Sequence, residues 1–93
     1  MELKVFTLPT CPTCPVAKTI VQEIAQKFHL GYREVNMASK EGLDEGLAHE
    51  IVSTPSIAID EEVIARGRLI SREKLEEAVQ TRLEKWKARA ALE

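Results

Sequence analysis

No run of apolar residues in this chain approaches the ~20 that a membrane-spanning helix needs, so a membrane-embedded role is not expected. An excess of positive charge is also missing: 13 Lys+Arg stand against 15 Asp+Glu, a net charge of −2. Broad binding to nucleic acid needs a basic excess on one face, so that class of partner is not expected either. Cysteine is scarce, with two in 93 residues, whereas a small secreted domain stapled by disulfides spreads ~4–8 along its length. The opening Met1-Glu2-Leu3-Lys4 has no basic n-region and no apolar stretch ending at a small-residue cleavage site. A cytoplasmic chain is the expectation, in a reducing compartment where a close pair of thiols is more often redox-active or metal-binding than structural. There is no internal repeat, low-complexity tract or linker.

What remains is a mixed chain, 44% hydrophobic and 30% charged, long enough for one core and too short for two. Leu3–Leu8 combines β-branched, aromatic and aliphatic residues and stops at Pro9, which predicts a buried strand. After the loop Pro9–Cys14, Val16, Ile20, Ile24 and Phe28 recur every four residues with Ala17 and Val21 beside them, predicting an amphipathic helix that Gly31 ends in a left-handed turn. Tyr32–Met37 has the length of a strand. Ser39 is placed to cap a second, weaker helix with Leu43, Leu47 and Ile51 on its apolar side, against which Gly42 and Gly46 count. Ser56–Ile59 and Val63–Gly67, joined by the acidic turn Asp60-Glu61-Glu62, predict an antiparallel hairpin. Ser71 opens a last helix with the stripe Leu75, Val79, Leu83, Trp86 and Ala90. The element order is βαβαββα over a single domain, 1–93, in which 84–93 reads as a helical extension, a tail or a dimer contact. A strand–helix–strand unit with a right-handed crossover makes the first two strands parallel.

The two cysteines are Cys11 and Cys14, in Cys11-Pro12-Thr13-Cys14, between the first strand and the start of the first helix. In that context C-x-x-C indicates thiol–disulfide exchange. Positions i and i+3 at the head of a helix hold side chains ~5–6 Å apart, which suits a disulfide that opens and closes without moving the backbone. The unpaired N–H groups and the dipole of a helix N-terminus favour an anion, and the thiolate is the reacting species. Cys11, farther out on the loop, is the expected nucleophile and Cys14 the resolving thiol. Two other readings stay open: an inert pair, or half of a zinc site. Structural zinc takes ~4 ligands, and the remaining candidates, His29 and His49, have no zinc-finger spacing and are expected at the surface.

With these residues in place the chain resembles the thioredoxin-fold oxidoreductases, and in particular their short glutaredoxin-like branch. The resemblance runs through the CPTC segment, the element order and Thr54-Pro55 just before the third strand. It implies a thioredoxin fold: an α/β domain with a four-stranded mixed sheet flanked by helices. It also implies a cis bond at Pro55 packed near the active disulfide, and a Thr54 backbone that pairs with an incoming extended peptide. Some positions depart from the pattern. Thr10 stands where thioredoxins have Trp, Thr13 where glutaredoxins carry an aromatic, and Gly67-Arg68-Leu69-Ile70-Ser71 where glutathione-binding glutaredoxins have Gly-Gly and acidic residues. The implied activity is reduction of protein disulfides, as a monomer, with an upstream protein reductant and without metal or organic cofactor. The alternatives are a glutathione-dependent glutaredoxin, a non-catalytic binding module of the same fold, and a metal-holding subunit.

Three further features have a functional and a bland reading each. Lys18, four residues past Cys14, either adds positive potential near the thiolate or is a solvated helix lysine. Arg66 and Arg68, on either side of Gly67, either dock an acidic partner or form a solvated face. Trp86 is expected to pack under the last helix, on whose apolar stripe it falls, rather than to serve as a binding platform.

Overall fold

The computed structural model describes the backbone of residues 1–92 and the side chains of residues 1–87. The elements are β1 (Glu2–Thr7), α1 (Cys14–Lys27), β2 (Gly31–Asn36), α2 (Lys40–Ala48), β3 (Ser56–Ile59), β4 (Glu62–Ala65) and α3 (Arg72–Leu92). This is the βαβαββα order expected from the sequence, and α3 carries the segment from 84 onward as a helical extension as far as Leu92. Ala90, assigned above to the apolar stripe, and Glu93 lie outside the described side chains. The sheet runs β2-β1-β3-β4. β1 is parallel to β2 and antiparallel to β3, and β3 is antiparallel to β4.

Alternation along β1 divides the core. Leu3 and Val5 point to one face, where they meet Val21 and Ile24 of α1 and Leu75 and Val79 of α3. Phe6 points to the other and joins Val35, Met37, Ile51 and Ala58. Helices therefore cover both faces, α1 and α3 on one and α2 on the other.

The register fixes where the loops emerge. Phe6 lies opposite Val35 and Ser56, and Ile57 lies opposite Ala65. The loop after β1, the loop before β3 and the loop after β4 consequently leave the sheet at the same end. Cys11, Thr54-Pro55 and Gly67 are distant in sequence and share that end for this reason.

Several helix faces differ from the periodic expectation. In α1 the buried residues are Cys14, Ala17, Val21, Ile24 and Ala25, and Val16 is 49% exposed. Small Ala17 and Ala25 let the helix approach the sheet, and that contact turns Val16 outward. The helix is ended by His29 in the left-handed region (φ 56°), and Gly31 has already begun β2. In α2 the two glycines face the sheet, while Leu43 and Leu47 are 42% and 51% exposed. A Cβ on Gly42 would overlap the carbonyl oxygen of Asn36, and one on Gly46 would come within 2.6 Å of Met37 Cε. The glycines that weaken the helix are what let it lie this close. Ile51 follows α2 rather than belonging to it and is fully buried. Trp86 is 65% exposed, because the part of α3 that packs on the core ends near Leu83. His49 is not a surface residue: its side chain is 10% exposed, with the ring edge-on to Phe6 at 5.8 Å.

Lys4, facing α2 from the central strand, is only 6% exposed. Its Nζ lies 3.5 Å from Glu45 Oε2 and 3.5 Å from Glu61 Oε1. Arg33 donates to both oxygens of Glu45. A buried ammonium is tolerated only with partners, and these supply them. The Arg33 hydrogen bond, with the charges of Arg33 and Lys4, holds the Glu45 carboxyl below its ordinary 4.5 despite partial desolvation.

Two outcomes follow from this packing. Gly42→Ala should destabilise the fold by about 1–3 kcal/mol in urea unfolding through overpacking, even though alanine gains ~1 kcal/mol of helix propensity; a stabilised variant would mean that α2 can move off Asn36. A carboxyl with a depressed folded value contributes stability that is complete above 4.5 and lost as pH falls through that folded value. Thermal melts should therefore hold steady from about pH 7 to 5 and drop below that. Glu45→Gln should lower the melting temperature at neutral pH and flatten the acid drop.

Candidate active site

The site is built from the end of β1 outward. After Thr7 the chain turns at Leu8–Cys11, closed by the Cys11 amide donating to the Leu8 carbonyl at 3.1 Å. Helix α1 then starts at Cys14, with Thr13 as its N-cap and Pro15 in its first positions, where a missing N–H costs nothing. The Thr13 side chain makes no capping hydrogen bond, and no acidic residue lies in the first turn. The positive end of α1 is thus not neutralised by its own side chains and is directed at the cysteines. Cys11 and Cys14 form a disulfide with their Cα atoms 5.4 Å apart, inside the separation that a disulfide prefers. The two sulfurs differ in access: Cys14 is 3% exposed, while Cys11 is half-buried on the loop between exposed Thr10 and Pro12.

The second part of the site comes from the chain before β3. The Thr54–Pro55 bond is cis, Pro55 is buried and Thr54 is partly exposed. The Ser56 hydroxyl donates to the Ser53 carbonyl at 2.8 Å and accepts from the Gly67 amide at 3.0 Å. Gly67 has φ +67°, and a Cβ there would run into Ser53 Oγ. Glycine is required at this position on both counts. One hydroxyl and one glycine thereby tie the loop after β4 to the loop that carries Thr54.

A third group adds two residues that were not singled out in the sequence, Thr7 and Glu34. Thr7, Cys11, Cys14, Lys18 and Glu34 line one shallow cleft of about 200 Å³. Buried Thr7 donates its hydroxyl to Glu34 Oε2 at 2.8 Å, and Lys18 Nζ lies 3.1 Å from Glu34 Oε1. The Thr7 hydrogen bond, then Lys18, holds the Glu34 carboxyl below its ordinary value against some desolvation. Lys18 lines the same cleft as the sulfurs and is paired there with a carboxylate that offsets its charge. Glu34 gave little signal, since a charged residue in a strand reads as solvent-facing; only the parallel register, with Thr7 opposite Asn36, brings it to the dithiol. The histidines are elsewhere, His29 exposed at the end of α1 and His49 against Phe6.

Comparison with known proteins agrees with this geometry. Residues 1–80 match the family described as Thioredoxin domain. The chain is 30% identical over 83 residues to a thioredoxin of Methanocaldococcus jannaschii, covering 89% of this chain and 96% of that one. It is 32% identical over 65 residues to a probable thioredoxin of Archaeoglobus fulgidus, covering 70% of this chain and 71% of that one. Among solved structures, thioredoxin 1 of Thermosipho africanus superposes with a TM-score of 0.77 at 20% identity, covering 94% of this chain and 99% of that one.

The cleft charges generate a test on the reduced protein. Lys18→Met should slow alkylation of Cys11 by iodoacetamide at neutral pH by about 2- to 5-fold, and Glu34→Gln should speed it, since each removes one charge near the reacting thiolate. Equal rates in both variants and the parent would separate this ion pair from the dithiol.

Proposed function

The chain belongs to the thioredoxin family and is a thiol–disulfide oxidoreductase, and from that premise we propose that it acts as a reductant of protein disulfides. The observation that carries the proposal is the unequal pair at the head of α1: one sulfur reachable, the other buried beneath it.

In the proposed cycle the reduced protein holds Cys11 as a thiolate, favoured by the uncapped N-terminus of α1. Cys11 Sγ attacks one sulfur of a substrate disulfide. A mixed disulfide forms, and the other substrate sulfur leaves as a thiolate. Cys14, as a thiolate, then attacks Cys11 Sγ. The Cys11–Cys14 bond forms, and the second substrate sulfur is released. Two electrons have passed to the substrate, whose thiolates take up protons. An upstream dithiol donor restores the starting state by the same chemistry in reverse. Pro12 and Thr13, exposed between the cysteines, shape the turn from which Cys11 projects. Thr54, a partly exposed residue, offers its backbone to the extended substrate segment, as an added strand does at a sheet margin.

A protein donor is preferred to glutathione, since Gly67-Arg68-Leu69-Ile70-Ser71 supplies no acidic residue. The proposed setting is the cytoplasm, where a reductant meets reducing equivalents, and the proposed working state is a monomer.

Cys11→Ser should abolish reduction of insulin disulfides, and Cys14→Ser should accumulate mixed disulfides that separate on a non-reducing gel and disappear with dithiothreitol. Retained insulin reduction by Cys11→Ser would overturn the assignment of roles.

A further inference from the structure

We propose that Arg66 and Arg68 form a cationic lip beside the dithiol that selects protein disulfides carrying acidic residues on the segment next to the reacting cysteine. The inference rests on the reading above, in which an extended substrate segment lies along Thr54.

The first observation concerns pairing. The other guanidinium groups among the described side chains are held by carboxylates: Arg33 by Glu45 and Glu2, Arg72 by Glu23, Arg82 by Glu62. Arg66 and Arg68 are exposed, and among the described residues neither has a carboxylate within ion-pair distance. Arg66 makes only a long contact, 3.4 Å, to the carbonyl of His49. In a chain of net charge −2, two unpaired guanidinium groups two residues apart are a local exception.

The second observation concerns place. β4 ends at Ala65, so both arginines leave the sheet at the end that carries Cys11. Gly67 between them is fixed to the Thr54 loop through Ser56 Oγ, with Ser53 filling the space where a side chain would stand. The backbone that carries the two arginines is therefore tied to the loop that, in the reading above, meets the substrate backbone.

The third observation indicates a protein partner. Val52, Leu69 and Val16 are 83%, 41% and 49% exposed, and each adjoins a loop at this end. Apolar ground with charge beside it suits a folded or extended polypeptide better than a small thiol. Guanidinium forks recognise carboxylates by paired hydrogen bonds, which makes Asp and Glu the side chains that fit. Attraction of this kind acts on encounter and orientation and weakens with salt.

The test uses two peptides bearing the same intramolecular disulfide, one with Asp or Glu flanking the cystine and one with Asn or Gln there, with the neutral bis(2-hydroxyethyl) disulfide as a third substrate. The parent protein should reduce the acidic peptide with kcat/KM about 3- to 10-fold above the neutral one at low salt, a margin that narrows as salt rises. In Arg66→Gln/Arg68→Gln the margin should vanish by loss on the acidic peptide alone, with the neutral peptide and the small disulfide unchanged. No preference in the parent, or an equal fall on all three substrates in the variant, overturns the lip. Failure of the parent to reduce any of the three would instead overturn the reductase reading, so the two failures are distinguishable.

Discussion

The helix that starts at Cys14 starts there because the strand before it stops at Thr7 and a turn of a few residues reverses the chain. Everything the site does depends on that junction. A helix N-terminus concentrates partial positive charge and unpaired N–H groups, and the sequence places sulfur in that field without adding a competing carboxylate or hydroxyl cap. The same junction sets the spacing. Residues one turn apart at a helix head are at disulfide distance without rearrangement, and the observed Cα separation of 5.4 Å falls in that window. A bond that forms and breaks repeatedly requires that both states fit one backbone.

Burial then distinguishes two chemically identical side chains. Cys14 belongs to the face of α1 that packs on the sheet, while Cys11 stands on the loop. The two sulfurs therefore differ in how far solvent and an external group can reach them. The Lys18–Glu34 pair beside the cleft nearly cancels in net charge while presenting a local dipole to the sulfurs. One helix and two strands thus act on one thiol pair, although the sequence marks only the cysteines themselves.

The chemistry was legible because it is local. Cys11 and Cys14, the strand before them and the helix after them are contiguous, and Thr54-Pro55 was recognisable by its position before β3. The fold was legible at the level of element order, since strand and helix periods differ. The helix faces were not. Val16 looked buried because apolar periodicity weighs size, whereas the packed face of α1 was decided by how closely Ala17 and Ala25 allow the sheet to approach. Gly42 and Gly46 read as faults in a helix, and they are the contact surface itself. Glu34 was invisible because its partners, Thr7 and Lys18, reach it only through strand register and a crossover. Propensity arguments price each residue against solvent; these positions answer to a neighbour distant in sequence.

The distribution of charge follows the same logic of register. Lys4, Arg33, Glu45 and Glu61 form a partnered group on the α2 face, where an ammonium buried in the central strand needs carboxylates to be tolerated. Arg72 and Arg82 tie α3 to α1 and to the start of β4. Those charges are satisfied within the fold and can contribute little to recognition, since an incoming carboxylate would have to displace one already in place. The end of the sheet where the cysteines lie is different: its arginines are held by backbone position and not by counter-charge. A protein can keep a cation unpaired at low cost where solvent reaches it, and such a side chain stays free for a contact that the fold itself does not use. The charge that Arg33, Arg72 and Arg82 commit to the fold is therefore separate from that of Arg66 and Arg68, which stands exposed at the end of the sheet that carries the cysteines.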